Sequence, residues 1–197
     1  HIKTLGGERK YVEPAKGTVN PRVFIDRLAK KMPANVTVVA DVGQNQIWTC
    51  TEYKFCKEGR LLTSGGMGTM GYSVPAAIGA KMADNSRATV AICGDGAFQM
   101  SFMELATAVQ FGVDIKVVMT NNRLGMVREL QTNGYHDRQT AVFLDGSPDF
   151  IKLAEAYGIP AMRVYDDDTM EKGVEMLAEH EGICLVEVVV DKDMPTL

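Results

Sequence analysis

Two short polar segments carry residues suited to binding a cation and a phosphate group. Gly94-Asp95-Gly96 directly follows the apolar run ATVAIC, and Asn121-Asn122 directly follows IKVVMT. Glycines let backbone N–H groups approach an anion, and the N-terminus of a following helix favours negative charge. Asp95 would repel a phosphate unless a cation lay between them. The first segment therefore predicts a cation if a phosphate binds there, although as an isolated motif it is more typical of a plain turn.

The second segment strengthens the prediction of a cation site. Asn122 lies 27 positions after Asp95, at the end of the next strand-like run. Because parallel strands joined by one helix lie side by side, the Asn122 amide oxygen can reach the cation that Asp95 binds. One carboxylate and one amide, completed by diphosphate oxygens and water, suit octahedral Mg²⁺. The pair therefore favours Mg²⁺ with a bound diphosphate over a plain turn.

The elements that must position these residues alternate along the chain. Strand-like runs occupy 36–40, 60–64, 88–93, 115–120 and 183–190. A helix is predicted to start at Asn20-Pro21, and further helices are predicted near 70–83, 99–111, 149–157 and 168–180. This alternation with apolar strands predicts an α/β fold, a three-layer doubly wound parallel sheet with helices on both faces. Ligands bind beyond the carboxyl ends of such strands, so we expect the chemistry in loops 41–46, 64–71, 94–99 and 121–127.

One glycine pattern points to a different class of ligand. Residues 66–71 read GMGTMG and match the G-x-G-x-x-G motif of dinucleotide-binding folds. In those folds an acid about 20 residues further on ends the next strand. Asp84 lies before that strand instead, and the strand ends in Cys93-Gly94-Asp95. A dinucleotide site is therefore disfavoured.

Composition excludes several classes of function. The net charge is −4 with acids and bases interspersed, which is not typical of a protein that binds nucleic acid or an anionic membrane. No apolar run approaches the roughly 20 residues of a membrane span, and no signal peptide is evident. The four cysteines form no C-x-x-C pair and predict buried, reduced thiols in a cytoplasmic protein. The 197 residues suffice for one core, and we divide them into a leader or linker at 1–17 and one domain at 18–197.

Longer segments resemble one enzyme family. The spacing of GDG and NN resembles the thiamine diphosphate fingerprint. Four segments then resemble, in order, the catalytic subunit of acetolactate synthase: TSGGMGTMGYSVPAAIGA, GDGAFQMSFMELATAVQFGVDIKVVMTNN, LGMVRELQ and SPDFIKLAEAYGI. The resemblance runs from about residue 18 to the C-terminus and covers only the last third of a family member. It implies the domain that binds thiamine diphosphate, without the pyrimidine-binding domain and without the middle domain, which often holds FAD.

The resemblance implies a role for each matching residue. Mg²⁺ would be held by Asp95, Asn122 and a backbone carbonyl at Leu124. Gly68 would accept a hydrogen bond from the cofactor's 4′-amino group, and Met70 would wedge between its two rings. The residues implied to bind the cofactor are Val42, Gly43, Gln44, Asn45, Gly68, Met70, Gly94, Gly96, Ala97, Gly125, Met126 and Val127. No catalytic residue is expected in this chain, because the activating glutamate of the family belongs to the pyrimidine-binding domain.

Three departures from the family pattern affect these roles. Asn45 stands where the family usually has histidine, which weakens the diphosphate contact there. Leu130 stands where it usually has tryptophan, which puts substrate selectivity in doubt. The segment from Asn122 to Gly125 is one residue shorter, so Arg123 is an alternative carbonyl ligand to Leu124. Met100 and Met103 are predicted to be core residues at helical spacing instead.

The activity implied by the resemblance is condensation of pyruvate with a second 2-oxo acid with loss of CO₂, in branched-chain amino acid biosynthesis. The chain alone is expected to be inactive. Expected partners are 2-oxo acids, the pyrimidine-binding domain of a neighbouring subunit in a homodimer or larger assembly, and a small regulatory subunit. One alternative is a domain of another thiamine diphosphate-dependent 2-oxo acid decarboxylase or carboligase. Another is a cofactor-binding module without catalysis, against which intact Asp95 and Asn122 argue.

Overall fold

A computed structural model describes residues 12–197, which contain six parallel strands in one sheet. The strands are β1 (Thr37–Ala40), β2 (Arg60–Thr63), β3 (Thr89–Gly94), β4 (Lys116–Asn121), β5 (Ala161–Val164) and β6 (Cys184–Val189). The helices are α1 (Pro21–Lys31), α2 (Gln44–Glu52), α3 (Ser73–Ala83), α4 (Asp95–Ser101), α5 (Leu105–Gln110), α6 (Gly125–Gly134), α7 (Phe150–Ala156) and α8 (Asp167–Glu179). The strand order is β2-β1-β3-β4-β6-β5. The predicted α/β class is confirmed.

Helices cover both faces of the sheet, so the structure has three layers. Successive strand residues point to opposite faces, and each face of the sheet is apolar. Val38 and Ile92 pack into the core under α1, α2 and α8, whereas Val39 and Cys93 pack into the core under α3, α4, α5 and α7. The continuous apolar strands are therefore explained by burial on both sides, as predicted for a doubly wound sheet.

The order of the strands reverses between β1 and β3. From β1 the chain passes to β2 on one side and then returns to β3 on the other side, where β4 pairs with β3 and β6 pairs with β4. Ala40 pairs with Ile92, and Gly94 pairs with Thr120, so the carboxyl ends of these three strands meet at one edge. Such a reversal leaves a crevice between the loops that follow the strands. The loops after β1, β3 and β4 are those that carry the predicted site.

The first helix begins where the sequence predicts. The Asn20 side chain accepts a hydrogen bond of 2.9 Å from the backbone N–H of Arg22, and Pro21 occupies the first helical position. Asn is favoured as an N-cap, and Pro lacks the N–H that this position cannot use. Phe24, Ile25 and Leu28 bury one face of the helix completely.

Several predicted boundaries were wrong or incomplete. The short strand β5 and the helices α2 and α6 were not predicted, and α2 and α6 begin inside segments that were predicted to be loops. The helix predicted near 99–111 begins at Asp95 and is interrupted by a 3₁₀ turn at Phe102–Glu104. The run Ser147-Pro148-Asp149 predicts Ser147 as the N-cap of α7, but the cap is Asp149, which accepts from the backbone N–H of Ile151 at 3.2 Å. Short amphipathic elements give weak periodic patterns, which explains these errors.

Two methionines predicted to lie in the core are exposed. Met100 is 57% and Met103 is 55% exposed, because the interrupted helix turns Phe98 and Leu105 toward the sheet instead. The cysteine prediction is half right. Cys93 and Cys184 are buried, whereas Cys50 and Cys56 are exposed, and all four are unpaired.

Two statements on the organisation of the chain depend on which residues the structure describes. Most of the predicted leader, residues 1–11, lies outside the described part, so that division stays a prediction. Within residues 12–197, no helix combines the length and apolar character needed to cross a membrane.

Candidate functional site

A cavity of about 190 Å³ opens where β1, β3 and β4 end. All fifteen residues predicted to bind the cofactor or the metal line it, together with Thr120. The lining residues come from the loop after β1, the loop after β2, the start of α4, and the segment from the end of β4 to the start of α6. They are Val42, Gly43, Gln44, Asn45, Gly68, Met70, Gly94, Asp95, Gly96, Ala97, Thr120, Asn122, Leu124, Gly125, Met126 and Val127. Residues spread over 86 positions of sequence therefore converge on one space.

Asp95 is a buried acid with an unused oxygen. It is 1% exposed, and its Oδ1 accepts a long hydrogen bond of 3.4 Å from the backbone N–H of Leu124. Its Oδ2 is buried and has no hydrogen-bond partner among residues 12–197. Burial raises the pKa of the Asp95 carboxyl, while backbone N–H groups that include that of Leu124 act in the opposite direction. A buried carboxylate oxygen without a partner is costly, and a bound cation would remove this cost.

The loop between β4 and α6 has a strained backbone. Arg123 and Leu124 have φ of 58° and 55°, so two successive residues other than glycine adopt the left-handed conformation. Such residues cost about 1–3 kcal/mol each and persist where surrounding contacts hold them. The buried Arg128 side chain supplies those contacts, because its Nη1 donates to the carbonyls of Asn122 at 3.0 Å and Arg123 at 2.7 Å. This left-handed backbone conformation points the Leu124 N–H toward Oδ1 of Asp95.

The choice of a carbonyl ligand between Leu124 and Arg123 stays a prediction. The Leu124 carbonyl accepts from the backbone N–H of Arg128 at 3.1 Å, and the Arg123 carbonyl accepts from the Arg128 side chain. Each carbonyl keeps a second lone pair, so both retain the capacity to bind a cation.

Two glycines allow close approach inside the cavity. A Cβ atom on Gly96 would lie 2.4 Å from Cδ2 of Leu124 and 3.1 Å from Cε of Met70. A Cβ atom on Gly125 would lie 1.9 Å from Oε1 of Gln44 and 2.2 Å from Nδ2 of Asn122. These positions therefore need glycine for packing, and the first also exposes the backbone N–H groups at the start of α4 to a ligand.

The structure limits what Gln44 and Asn45 can contribute. Nε2 of Gln44 donates away from the cavity, to Thr196 Oγ1 at 3.0 Å among others. Nδ2 of Asn45 donates to the carbonyls of Asp41 at 2.8 Å and Ile92 at 3.1 Å. Because these hydrogens are already used, either residue can donate to a diphosphate only through its backbone N–H. The sequence-based doubt about a diphosphate contact at Asn45 therefore stands, because the N–H groups of its side chain already bind two backbone carbonyls.

A carboxylate that was not predicted positions the loop after β2. Asp41 is fully buried; its Oδ1 accepts from the backbone N–H of Val42 at 2.9 Å and of Gly71 at 3.0 Å. Its Oδ2 accepts from the backbone N–H of Ser73 at 2.7 Å. Asp41 thereby fixes the loop that carries Gly68, whose φ is 64°, and Met70 against the end of β1.

Other residues that matter to the site were also missed. Arg128, Glu129 and Thr196 lie within the hydrogen-bond network around Asn122 and Gln44, but none of them lines the cavity. Asp41 could have been found from sequence, because a charged residue directly after a buried strand is unusual among core positions, whereas Arg128 lies on a helix that was not predicted. Thr196 gives no such signal.

An open apolar groove adjoins the cavity. Val127 belongs to both, and the groove continues along α6 past Leu130 and Tyr135, which are 58% and 60% exposed. Leu130, which the resemblance connects with substrate selectivity, therefore lies beside the cavity and not inside it. On the other side the loop after β2 carries Met67, which is 90% exposed.

The donors present fit a cation that is bound together with a phosphate ligand. In the described part of the chain, no group of three His, Cys, Asp or Glu side chains lies close enough to hold a metal ion. Among the described residues that line the cavity, Asp95 alone is ionisable. One carboxylate and one amide leave most of an octahedral shell to be filled by a ligand's oxygens and water, as Mg²⁺ prefers. The unpartnered Oδ2 of Asp95 is the observation that supports this fit.

Comparison with known proteins agrees with this geometry. Residues 41–188 match the family model described as "Thiamine pyrophosphate enzyme, C-terminal TPP binding domain". The chain is 39% identical over 181 residues to the acetolactate synthase large subunit of Lactococcus lactis, covering 91% of this chain and 31% of that protein. It is 42% identical over 192 residues to the probable acetolactate synthase large subunit of Methanocaldococcus jannaschii, covering 96% and 32%.

A eukaryotic relative is similar to a comparable degree. The chain is 37% identical over 192 residues to the mitochondrial acetolactate synthase catalytic subunit of Saccharomyces cerevisiae, covering 95% of this chain and 28% of that protein. The chain thus spans less than a third of the length of each of these three relatives.

Proposed function

Because the chain belongs to the thiamine pyrophosphate enzymes, as a C-terminal TPP binding domain, we propose that it binds thiamine diphosphate through Mg²⁺ as part of an acetolactate synthase. The observation that carries the proposal is the buried, unpartnered Oδ2 of Asp95 in a glycine-lined cavity that also contains Asn122. The names of the relatives support the choice of acetolactate synthase.

Each side of the cavity has a proposed task. Asp95 and Asn122 hold Mg²⁺, with the carbonyl of Leu124 or Arg123 as a third protein ligand. The backbone N–H groups of Gly96 and Ala97 at the start of α4 bind the diphosphate, since helix N-termini favour anions. The remaining cavity residues would hold the rest of the cofactor, with Gly68 and Met70 on the loop after β2 and Met126 and Val127 at the start of α6.

When bound, thiamine diphosphate supplies the electron-sink chemistry of the reaction. The residues of this chain bind and orient it and exclude water from one side. The proposed reaction joins pyruvate to a second 2-oxo acid with loss of CO₂, a step of branched-chain amino acid biosynthesis. We extend the proposal to the cytoplasm, since four unpaired cysteines suit a reducing compartment.

The cavity supports the proposal that this chain forms one side of a shared active site. Its volume of about 190 Å³ is below the roughly 300–1,000 Å³ of ordinary ligand pockets. None of the lining residues in the described part of the chain offers an acid beyond Asp95, and Glu104 lies elsewhere, where it accepts from the Thr107 hydroxyl at 3.0 Å. The activating glutamate is therefore assigned to a pyrimidine-binding domain.

Exposed apolar side chains beside the cavity support a covering partner. Met67 lies on the loop after β2, and Met100 on α4 packs against the same loop at Gly71. Exposed apolar patches of this kind mark interaction surfaces. We propose that the pyrimidine-binding domain of a neighbouring subunit covers this side, in a homodimer or larger assembly to which a small regulatory subunit is added. FAD, if present, would be bound by the middle domain of the full-length protein.

The proposal is tested by measuring turnover of pyruvate with Mg²⁺ and thiamine diphosphate. The chain alone should give no acetolactate, because loss of a positioned acid or base by itself costs about 10²–10⁴-fold in rate. Addition of a separate pyrimidine-binding domain should restore activity. Robust turnover by this chain alone would contradict the shared site. Acetaldehyde as the main product of the restored system would favour the alternative, another 2-oxo acid decarboxylase.

A further inference from the structure

The side chain of Gln44 joins the C-terminal segment to the candidate cation site. Its Nε2 donates to three acceptors, Glu129 Oε2 at 2.9 Å, Thr196 Oγ1 at 3.0 Å and the Met194 carbonyl at 3.1 Å. An amide nitrogen has two hydrogens, so these acceptors use both. The Gln44 amide is therefore held in one orientation, with Oε1 turned toward the opposite side.

The orientation of Gln44 fixes that of Asn122. Nδ2 of Asn122 donates to Oε1 of Gln44 at 2.5 Å, and both side chains are buried. Because the nitrogen of the Asn122 amide is committed to Gln44, its Oδ1 is the atom left for the cavity. Among residues 12–197 no donor forms a hydrogen bond with this Oδ1. Gly125 makes room for the pair, since any Cβ there would overlap both amides.

Glu129 and Thr196 form the far end of this chain of hydrogen bonds. The Thr196 hydroxyl donates to Oε2 of Glu129, and its backbone N–H donates to Oε1 at 3.2 Å. The Thr196 carbonyl accepts from Nη2 of Arg22 at 2.6 Å, which holds the segment against α1. Neither Glu129 nor Thr196 lines the cavity, and the hydrogen bonds of both to Gln44 connect them to it.

We propose that Glu129 and Thr196 are positioning residues, which orient Gln44 and through it present Oδ1 of Asn122 to the cation. A Gln44 amide released from these acceptors can rotate and offer Nε2 to Asn122, which would then turn its own nitrogen toward the cation. The part of this inference that concerns the cation rests on the proposed function, whereas the orientation of the two amides does not.

The first test measures the amides directly, in the protein without cofactor. The side-chain N–H signals of Asn122 are recorded by NMR in the wild type, in Thr196→Val and in Thr196→Ser. The valine variant keeps the shape of threonine and loses its hydroxyl, so the Asn122 signals should shift and exchange faster with solvent. The serine variant should restore them. Unchanged Asn122 signals in Thr196→Val would overturn the proposal.

The second test measures the consequence for the cation. Binding of Mn²⁺, as a spectroscopic substitute for Mg²⁺, is followed by electron paramagnetic resonance with thiamine diphosphate present. Thr196→Val and Glu129→Ala should each weaken Mn²⁺ binding by about 10–100-fold, as expected when a partner that orients a ligand is lost. Thr196→Ser should stay within about twofold of the wild type.

Thr107→Val is the matched control for this second test. It also removes a hydroxyl that donates to a glutamate, Glu104, but it lies on α5 away from the cavity. This variant should bind Mn²⁺ like the wild type. Equal loss in Thr107→Val and Thr196→Val would overturn the positioning role. Failure of the wild type to bind Mn²⁺ would contradict the proposed function instead, and the NMR result would still decide the orientation of the amides.

Discussion

The carboxylate of Asp41 accepts a hydrogen bond of 2.7 Å from the backbone N–H of Ser73, across 32 positions of sequence. The same carboxylate accepts from Gly71 at 3.0 Å. One buried acid at the end of β1 therefore fixes the start of α3 and the loop before it. Since that loop carries Gly68 and Met70, the geometry of one wall of the cavity depends on Asp41.

Replacement of Asp41 by asparagine should destabilise the protein by about 1–3 kcal/mol, the cost of leaving a buried N–H without an acceptor. The amide keeps one oxygen but cannot accept at both positions. Chemical unfolding of Asp41→Asn against the wild type measures the difference. Asp168→Asn, at an exposed position in the first turn of α8, loses only the interaction of its charge with the helix N-terminus and should cost less than about 1 kcal/mol. If the free energy of unfolding of Asp41→Asn equals that of the wild type, Asp41 does not hold the loop.

The sequence predicted the sheet well because its strands are buried on both faces. Runs such as ATVAIC and IKVVMT can be recognised without periodicity, and the residues that follow them carry the chemistry. It predicted the short elements poorly. β5 has only four residues, and α2 buries polar side chains such as Gln44 and Asn45, so neither gives an apolar pattern.

Every residue that lines the cavity except Thr120 was identified from the sequence, but the residues that support them were not. Asp95 and Asn122 could be paired from spacing, because strand order brings them together. The contacts of Gln44 with Thr196 join segments 152 positions apart, and local sequence holds no information on such a contact. The exposure of Met100 likewise follows from the 3₁₀ interruption after α4, which the helical spacing of the methionines does not indicate.

Two methionines of one loop offer a matched comparison of the cavity wall. Met70 lines the cavity, and a Cβ atom on Gly96 would lie 3.1 Å from its Cε, whereas Met67 is 90% exposed. Met70→Ala should weaken thiamine diphosphate binding by roughly 10–100-fold, since burial of a methionine side chain contributes about 1.5–3 kcal/mol. Met67→Ala should stay near the wild type. Calorimetry decides this, and equal affinities of the two variants would remove Met70 from the site.

The buried charge of Asp95 should make stability depend on pH when no cation is present. Burial raises its pKa above the unfolded value, so its favourable contribution holds at low pH and is lost as pH rises through the folded pKa. Asp95→Asn, which is neutral throughout, should therefore have a higher Tm than the wild type at pH 7 in chelator. The difference should close toward pH 3. A lower Tm of Asp95→Asn at pH 7 would contradict this account.

The four thiols should separate into two classes on alkylation of the folded protein. Burial raises the pKa of Cys184 to about 11 and that of Cys93 well above its ordinary value, so both should stay protected. Cys50 and Cys56 are exposed, and Cys56 should react first because partial burial raises the pKa of Cys50. Mass spectrometry of the modified peptides shows the order. Early modification of Cys93 would contradict the burial of β3.

The most direct test of the central claim is calorimetric titration of the protein with thiamine diphosphate, with and without Mg²⁺. Binding should require Mg²⁺, should disappear in chelator, and should be lost in Asp95→Ala, because that variant removes the one carboxylate that lines the cavity. The matched control is Asp168→Ala, which should bind like the wild type. Equal affinity of Asp95→Ala and the wild type, or binding that persists in chelator, would contradict a Mg²⁺-dependent cofactor site at Asp95 and Asn122.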